Sequence, residues 1–222
     1  MSTLATRLAA VWERIEAAGG SRERVRLVAV TKGFGADVVR EAVALGLTDL
    51  GESYAQEMLA KIPEVPHDGP AAPRWHFVGR IQSNKVRLLA PYVALWHGVD
   101  RASAGREIAR RAPGAAVLVQ VNVTGEATKA GCAPDELAPL LDELSAADLD
   151  VRGLMTIAPA GRRDVARSAF AKVREMADFH GLGEVSMGMS DDLDAAVAEG
   201  ATMVRVGAAL FGPRPGAAGV RH

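Results

Sequence analysis

Eight times along its 222 residues the chain repeats one pattern: a short apolar, often β-branched run, a polar or glycine-containing turn, and an amphipathic stretch rich in Ala, Leu and Val. The apolar runs fall at 27–31, 48–51, 75–79, 93–97, 116–123, 151–157, 184–187 and 202–206. The amphipathic stretches lie near 36–46, 54–61, 83–90, 101–111, 134–146, 164–180 and 191–199. Short runs read as strands and the longer stretches of helical period as helices. A helix between two strands is a crossover, which joins parallel neighbours, whereas antiparallel partners need only a tight turn. The pattern therefore predicts an α/β fold, a single (β/α)8 barrel domain over residues 1–222, with a doubly wound open sheet as the alternative. Before the first unit, Leu4, Leu8, Val11, Trp12 and Ile15 share one helical face, which predicts an extra N-terminal helix within 1–20, with Ser2 as its cap and Gly19-Gly20 as its stop. The Pro-rich segment 62–73 reads as a surface loop and 213–222 as a flexible tail.

The charge balance narrows the partners. With 26 basic against 27 acidic residues, the chain lacks the basic footprint that nucleic acid or an anionic membrane surface requires. No uncharged run reaches the roughly 18 residues of a membrane span, and charged residues interrupt the N-terminal apolar positions as no secretory signal does. A cytoplasmic protein is expected. Cys132, the single cysteine, reads as a core thiol.

In a parallel barrel the chemistry sits at the C-terminal ends of the strands. Lys32 follows the first run, where an ammonium entering an apolar mouth loses hydration and becomes a usable neutral amine; a solvated strand-end lysine is the plain alternative. The chain has only 5 lysines against 21 arginines. The segment 184–192 (EVSMGMSDD) and Gly207-Ala208-Ala209 follow the seventh and eighth runs, where barrels often bind a phosphate on backbone N–H groups. The alternative there is that Ser190 merely caps a helix. Arg205 interrupts an apolar run and needs a ligand, a carboxylate or another acceptor. His76, His97 and His180 lack metal-ligand spacing, and the chain has no Walker loop, dinucleotide fingerprint or nucleophile elbow.

Six blocks then carry a resemblance: LVAVTKGF (27–34), GESYAQEMLAK (51–61), WHFVGRIQSNKVR (75–87), VQVNVTGEATKAGC (119–132), GLMTIAP (153–159) and VSMGMSDDLDAAVAEGATMVRVGAALFGPR (185–214). In this order they resemble the pyridoxal phosphate homeostasis proteins, whose barrel is that of the alanine racemase N-terminal domain, the type III fold of enzymes that use pyridoxal 5′-phosphate (PLP). The resemblance implies PLP as cofactor, held as an aldimine by Lys32, with Arg205 at its pyridine nitrogen. It implies Ser190, Gly207 and Ala208 at the phosphate with Ser186 close by, and Asn122, His76 and Met155 along the pocket. Two positions depart from the family pattern. Ser53 stands where an Asn is usual, and Ala208 stands where a Thr is usual, which leaves only a backbone N–H to offer.

An arginine at the pyridine nitrogen weakens the ring as an electron sink, and racemisation needs a second proton carrier opposite the lysine. Tyr54 and Tyr92 are the only tyrosines. The expectation is a monomeric protein that stores and delivers PLP or related B6 vitamers, with apo PLP enzymes as acceptors and no robust turnover. A compact amino-acid racemase is the alternative, and a Schiff-base aldolase a more distant one.

Overall fold

A computed structural model of the chain describes residues 3–66, 69, 72–126, 129–159 and 161–214. Ser2 and residues 215–222 of the expected tail lie outside them. Helix α1 (Thr3–Ala17) precedes strands β1 (Arg26–Val30), β2 (Asp49–Glu52), β3 (Arg74–Phe77), β4 (Val93–Val99), β5 (Ala116–Gln120), β6 (Asp150–Met155), β7 (Glu184–Ser186) and β8 (Met203–Val206). Helices α2 (Ala36–Ala44), α3 (Ala55–Lys61), α4 (Ser83–Leu89), α5 (Ala102–Arg111), α6 (Leu137–Ala146), α7 (Arg163–Phe179), α8 (Leu193–Ala198) and α9 (Ala208–Phe211) each follow one strand. Each strand pairs in parallel with the next, and β8 returns to β1 with Leu27 opposite Val204 and Val28 opposite Arg205. The sheet is a closed barrel, so the open-sheet alternative does not hold.

Strand alternation sorts the side chains into two apolar sets. Leu27, Ala29, Leu50, Trp75, Phe77, Trp96, Val117, Val119, Leu154, Val185 and Val204 face outward and merge with the helix faces in one large core. The intervening positions face the barrel interior, where Leu95, Ala116, Leu118, Met155 and Met203 form a small second cluster. The rest of the interior is polar, because Asp49, His76, His97, Ser186 and Arg205 occupy the same inward positions and are all buried.

Two glycines are needed for close approach of the backbone. A Cβ at Gly153 would lie 1.7 Å from the Glu184 carbonyl oxygen across the β6–β7 pair, and one at Gly79 would lie 2.2 Å from the Ser53 carbonyl oxygen, where the loops after β2 and β3 meet. Helix α1 buries Leu4, Val11, Trp12 and Ile15 and packs against α8 and α9. Its Arg14 fixes this placement through Asp194 (Nε to Oδ1 3.0 Å, Nη2 to Oδ2 2.8 Å) and the Ser190 carbonyl oxygen (2.9 Å).

Candidate functional site

Lys32 stands directly above the C-terminal end of β1, in a cavity of about 230 Å³ lined also by Val30, Phe34, Gly207, Ala208 and Arg214. Its backbone is held from both sides. Thr31 Oγ1 donates to Glu52 Oε1 (2.6 Å), Lys61 Nζ donates to the Thr31 carbonyl (2.8 Å), and the Gly33 N–H donates to Glu57 Oε2 (2.6 Å). Gly33 adopts φ +78°, a left-handed conformation that glycine accepts without strain. The Lys32 ammonium itself has no hydrogen bond or ion pair among the described residues. Burial, then the positive charges of Arg214 and Arg205, lower its pKa, and the more distant Glu52 and Glu57 only partly offset this. The result is an amine that gives up its proton more easily than an ordinary lysine, at the mouth of the barrel.

Behind this loop lies a buried ion pair that the sequence reading did not single out. Lys61 Nζ is 2.5 Å from Glu52 Oε1, both side chains are almost entirely buried, and Glu52 Oε2 has no partner among the described residues. Burial raises the Glu52 pKa, and the hydrogen bonds from Lys61 and Thr31 only partly offset it. The available signal was Glu52 itself, an acid at the end of a strand.

Arg205 points inward from β8 and is 5% exposed. Nη1 donates to the Ser186 carbonyl and to Ser186 Oγ, each at 2.7 Å, and Nη2 donates to the Thr156 carbonyl at 2.8 Å. These bonds use three of the five N–H donors of a guanidinium and leave two for a ligand. Burial lowers the Arg205 pKa to about 10, which still leaves the group charged at neutral pH.

The loops after β7 and β8 meet at one hydrogen bond. Ser190 Oγ accepts from the Ala209 N–H (3.1 Å), which ties the loop before α8 to the first turn of α9 beside Gly207 and Ala208. Ser190 therefore does not cap the helix that follows it, since α8 begins at Leu193 and Asp192 precedes it. Lys32, Gly207 and Ala208 share one cavity; Ser190 is tied to Ala209, the next residue, and Arg205 is close enough for its charge to act on Lys32.

Three further expected residues point into the barrel interior. Ser186 is fully buried with its hydroxyl between Arg205 and His97, at the height of Met155, so it is inside the barrel and not on the loops above it. His76 is 2% exposed and bonds to His97 and Asp49, and Met155 is fully buried in the interior apolar cluster. Each of these side chains points inward from a strand, where neighbouring strands and not solvent are its surroundings. Asn122 bonds within its own loop: its Nδ2 donates to the Glu126 carbonyl (2.9 Å), and its Oδ1 accepts from Thr124 Oγ1 (3.3 Å). Cys132 is buried, and burial raises its pKa to about 11, in keeping with a core thiol.

Residues 6–215 match the family model of the alanine racemase N-terminal domain. The pyridoxal phosphate homeostasis protein of Pseudomonas aeruginosa is 46% identical over 226 residues, covering 96% of this chain and 97% of that protein. PipY of Synechococcus elongatus, solved with PLP bound, is similar with a TM-score of 0.78 and 34% identity, over 90% of this chain and 99% of that one. Alanine racemase of Corynebacterium glutamicum shares the fold at 17% identity with a TM-score of 0.69, and the match covers 98% of this chain but only 63% of that longer one. By its sequence over nearly its whole length, the chain belongs to the alanine racemase N-terminal domain family, among the pyridoxal phosphate homeostasis proteins.

Proposed function

We propose that the chain binds PLP at the mouth of the barrel and serves as a store from which the cofactor is delivered to acceptor apoenzymes. The observation that carries this reading is the half-buried amine of Lys32, with no partner among the described residues, in the same cavity as Gly207 and Ala208 and next to Arg205. Bound PLP supplies an aldehyde that condenses reversibly with amines and an aromatic ring that can accept electrons. Lys32 supplies the amine for the aldehyde. Arg205 would turn one of its remaining N–H donors to the pyridine nitrogen, and the backbone N–H groups of Gly207 and Ala208, with Ser190, would receive the phosphate. The donor set fits the group: a free amine, a buried cation and a glycine-containing turn at the end of a strand. The relative PipY is known with PLP bound, and the curated relatives are named for PLP homeostasis.

The same geometry favours storage over turnover. Racemisation needs a second acid or base across the cavity from Lys32. Tyr92 precedes β4 and so lies at the opposite end of the barrel, and Tyr54 lines a separate cavity with Ser53, Arg80 and Lys85. Cys132 is buried with a raised pKa. An arginine that stays charged does not readily transfer a proton to the ring nitrogen, so the ring stays a weak electron sink. No helix among the described residues is long and apolar enough to cross a membrane, and the reading places a monomer in the cytoplasm.

Titration of the purified protein with PLP, followed by visible absorbance and by deuterium exchange at Cα of free amino acids, tests both parts. The expected result is a saturable one-to-one absorbance band with no exchange above that of free PLP. No band would overturn the binding reading, and Lys32-dependent exchange would favour a racemase.

A further inference from the structure

One chain of hydrogen bonds crosses the barrel interior, and beyond Arg205 its members have no part in holding PLP directly. Arg205 Nη1 donates to Ser186 Oγ (2.7 Å); Ser186 Oγ meets His97 Nδ1 (2.9 Å); His97 Nε2 meets His76 Nδ1 (2.9 Å); and His76 Nε2 meets Asp49 Oδ1 (2.9 Å). Asp49 Oδ2 accepts from Arg74 Nη2 (2.6 Å). Arg205 adjoins the cavity of Lys32 at one mouth, while Asp49 and Arg74 line a cavity of about 360 Å³ at the other, with Arg26 and Glu184 among its walls. The chain therefore joins the two ends of the barrel.

Its ends fix its direction. A guanidinium only donates and a carboxylate only accepts. Ser186 accepts from Arg205 and places its own hydrogen on His97 Nδ1. His97 then carries its hydrogen on Nε2 and donates to His76 Nδ1, and His76 carries its hydrogen on Nε2 and donates to Asp49. Every donor has an acceptor. In the reversed chain the Ser186 hydrogen would lose its acceptor and the lone pair of His76 Nε2 would face the Asp49 carboxylate, two unfavourable contacts in a buried site. Burial above all, with the positive charges of Arg205 and Arg26 adding to it, pushes the His97 pKa well below its ordinary value, so His97 is the neutral link that this arrangement needs. Burial alone would raise the Asp49 carboxyl, but the hydrogen bonds from His76 and Arg74 outweigh it and hold it below its usual value.

We propose that Asp49, His76, His97 and Ser186 are positioning residues that hold the Arg205 guanidinium in one orientation toward the cofactor ring, with Asp49 at the far mouth setting the direction of the whole chain. This rests on the PLP-binding reading. With Nη1 held by both the carbonyl and the hydroxyl of Ser186, the guanidinium cannot swing away from the mouth, and the same two N–H donors stay free for a ligand.

The test has two arms. Protein labelled with ¹⁵N at histidine, free of PLP, is observed by long-range ¹H–¹⁵N NMR at pH 7.5. The expected result is that His97 and His76 both carry hydrogen on Nε2 with an unprotonated Nδ1. Of two small changes that keep the barrel filled, Asp49→Asn is expected to lose this single tautomer at His97, because an amide can donate as well as accept and no longer dictates the direction, whereas Ser186→Ala is expected to keep it, with the Asp49 end intact. The second arm titrates PLP into the same proteins. Binding about tenfold weaker than wild type is expected in Ser186→Ala, with a displaced visible band while Lys32 remains the site fixed by borohydride. Wild-type tautomers in Asp49→Asn, or wild-type affinity and band in Ser186→Ala, would overturn the proposal. Failure of the wild type to bind PLP would instead overturn the function reading, and the tautomers are read without cofactor.

Discussion

At the residue scale, Lys32 makes a prediction about stability as well as labelling. Burial, Arg214 and Arg205 lower its pKa, so the folded state disfavours the ammonium that the unfolded chain carries freely. That cost is full at neutral pH and disappears as pH rises to the ordinary lysine value, where both states are neutral. Lys32→Met in PLP-free protein should therefore be as stable as wild type or more so at pH 7, and any gain should vanish by about pH 10.5, as read by urea unfolding at the two pH values. Gly153→Ala makes the opposite prediction. Its Cβ would overlap the Glu184 carbonyl oxygen, backbone that cannot move aside without parting β6 from β7, so a loss of about 2 kcal/mol or more is expected in chemical denaturation. Lys32 and Arg205 were legible because a cation after, or inside, an apolar run has few explanations. The hydrogen-bond chain through His76 and Ser186 was not, because its members come from separate strands that only the closed barrel brings together. The signal was in the alternation: His76 between Trp75 and Phe77 faces away from the side that the two aromatic residues share.

At the scale of elements, the unit β1, β2 and α3 fixes the loop that carries Lys32. The Glu52–Lys61 pair ties the helix to the strand ends, and taking away one partner leaves a buried charge unpaired. Lys61→Met should cost about 3 kcal/mol, whereas Glu52→Gln combined with Lys61→Met should recover most of it; a double-mutant cycle by chemical denaturation reads the difference. Helix α1 acts on the other wall of the site. Arg14 holds the Ser190 carbonyl and Asp194 from a half-exposed position, so Arg14→Ala should lower stability by less than about 1 kcal/mol yet weaken PLP binding severalfold, through the loop before α8. All eight strands and the eight longer helices fell where hydrophobic period placed them, including the two weakest runs at 48–51 and 184–187, and in these the regular spacing of the units carried the assignment. Helix α9 was not legible, because Ala208–Phe211 is a single turn, too short to show a period.

At the scale of the molecule, closure is what makes the site. Pairing of β8 with β1 brings Lys32, from the first unit, beside Arg205 and Gly207, from the last, and leaves no strand edge open. A chain ending after residue 202 would lack β8 and α9 and expose the edges of β1 and β7; it should aggregate and show no cooperative unfolding, by size-exclusion chromatography and circular dichroism. A monomer with native-like dichroism would contradict that. The rhythm of the sequence implied a parallel sheet but not its closure, since an open sheet uses the same units, and pairing between the first and last strands decided it. The central claim is that closure creates a PLP site around one lysine. It is tested most directly by loading the protein with PLP, reducing with borohydride and mapping the modified peptides by mass. The account predicts a phosphopyridoxyl group on Lys32 and none on the remaining lysines, with the label absent from Lys32→Ala. A label on another lysine, or an equal label in Lys32→Ala, would contradict it.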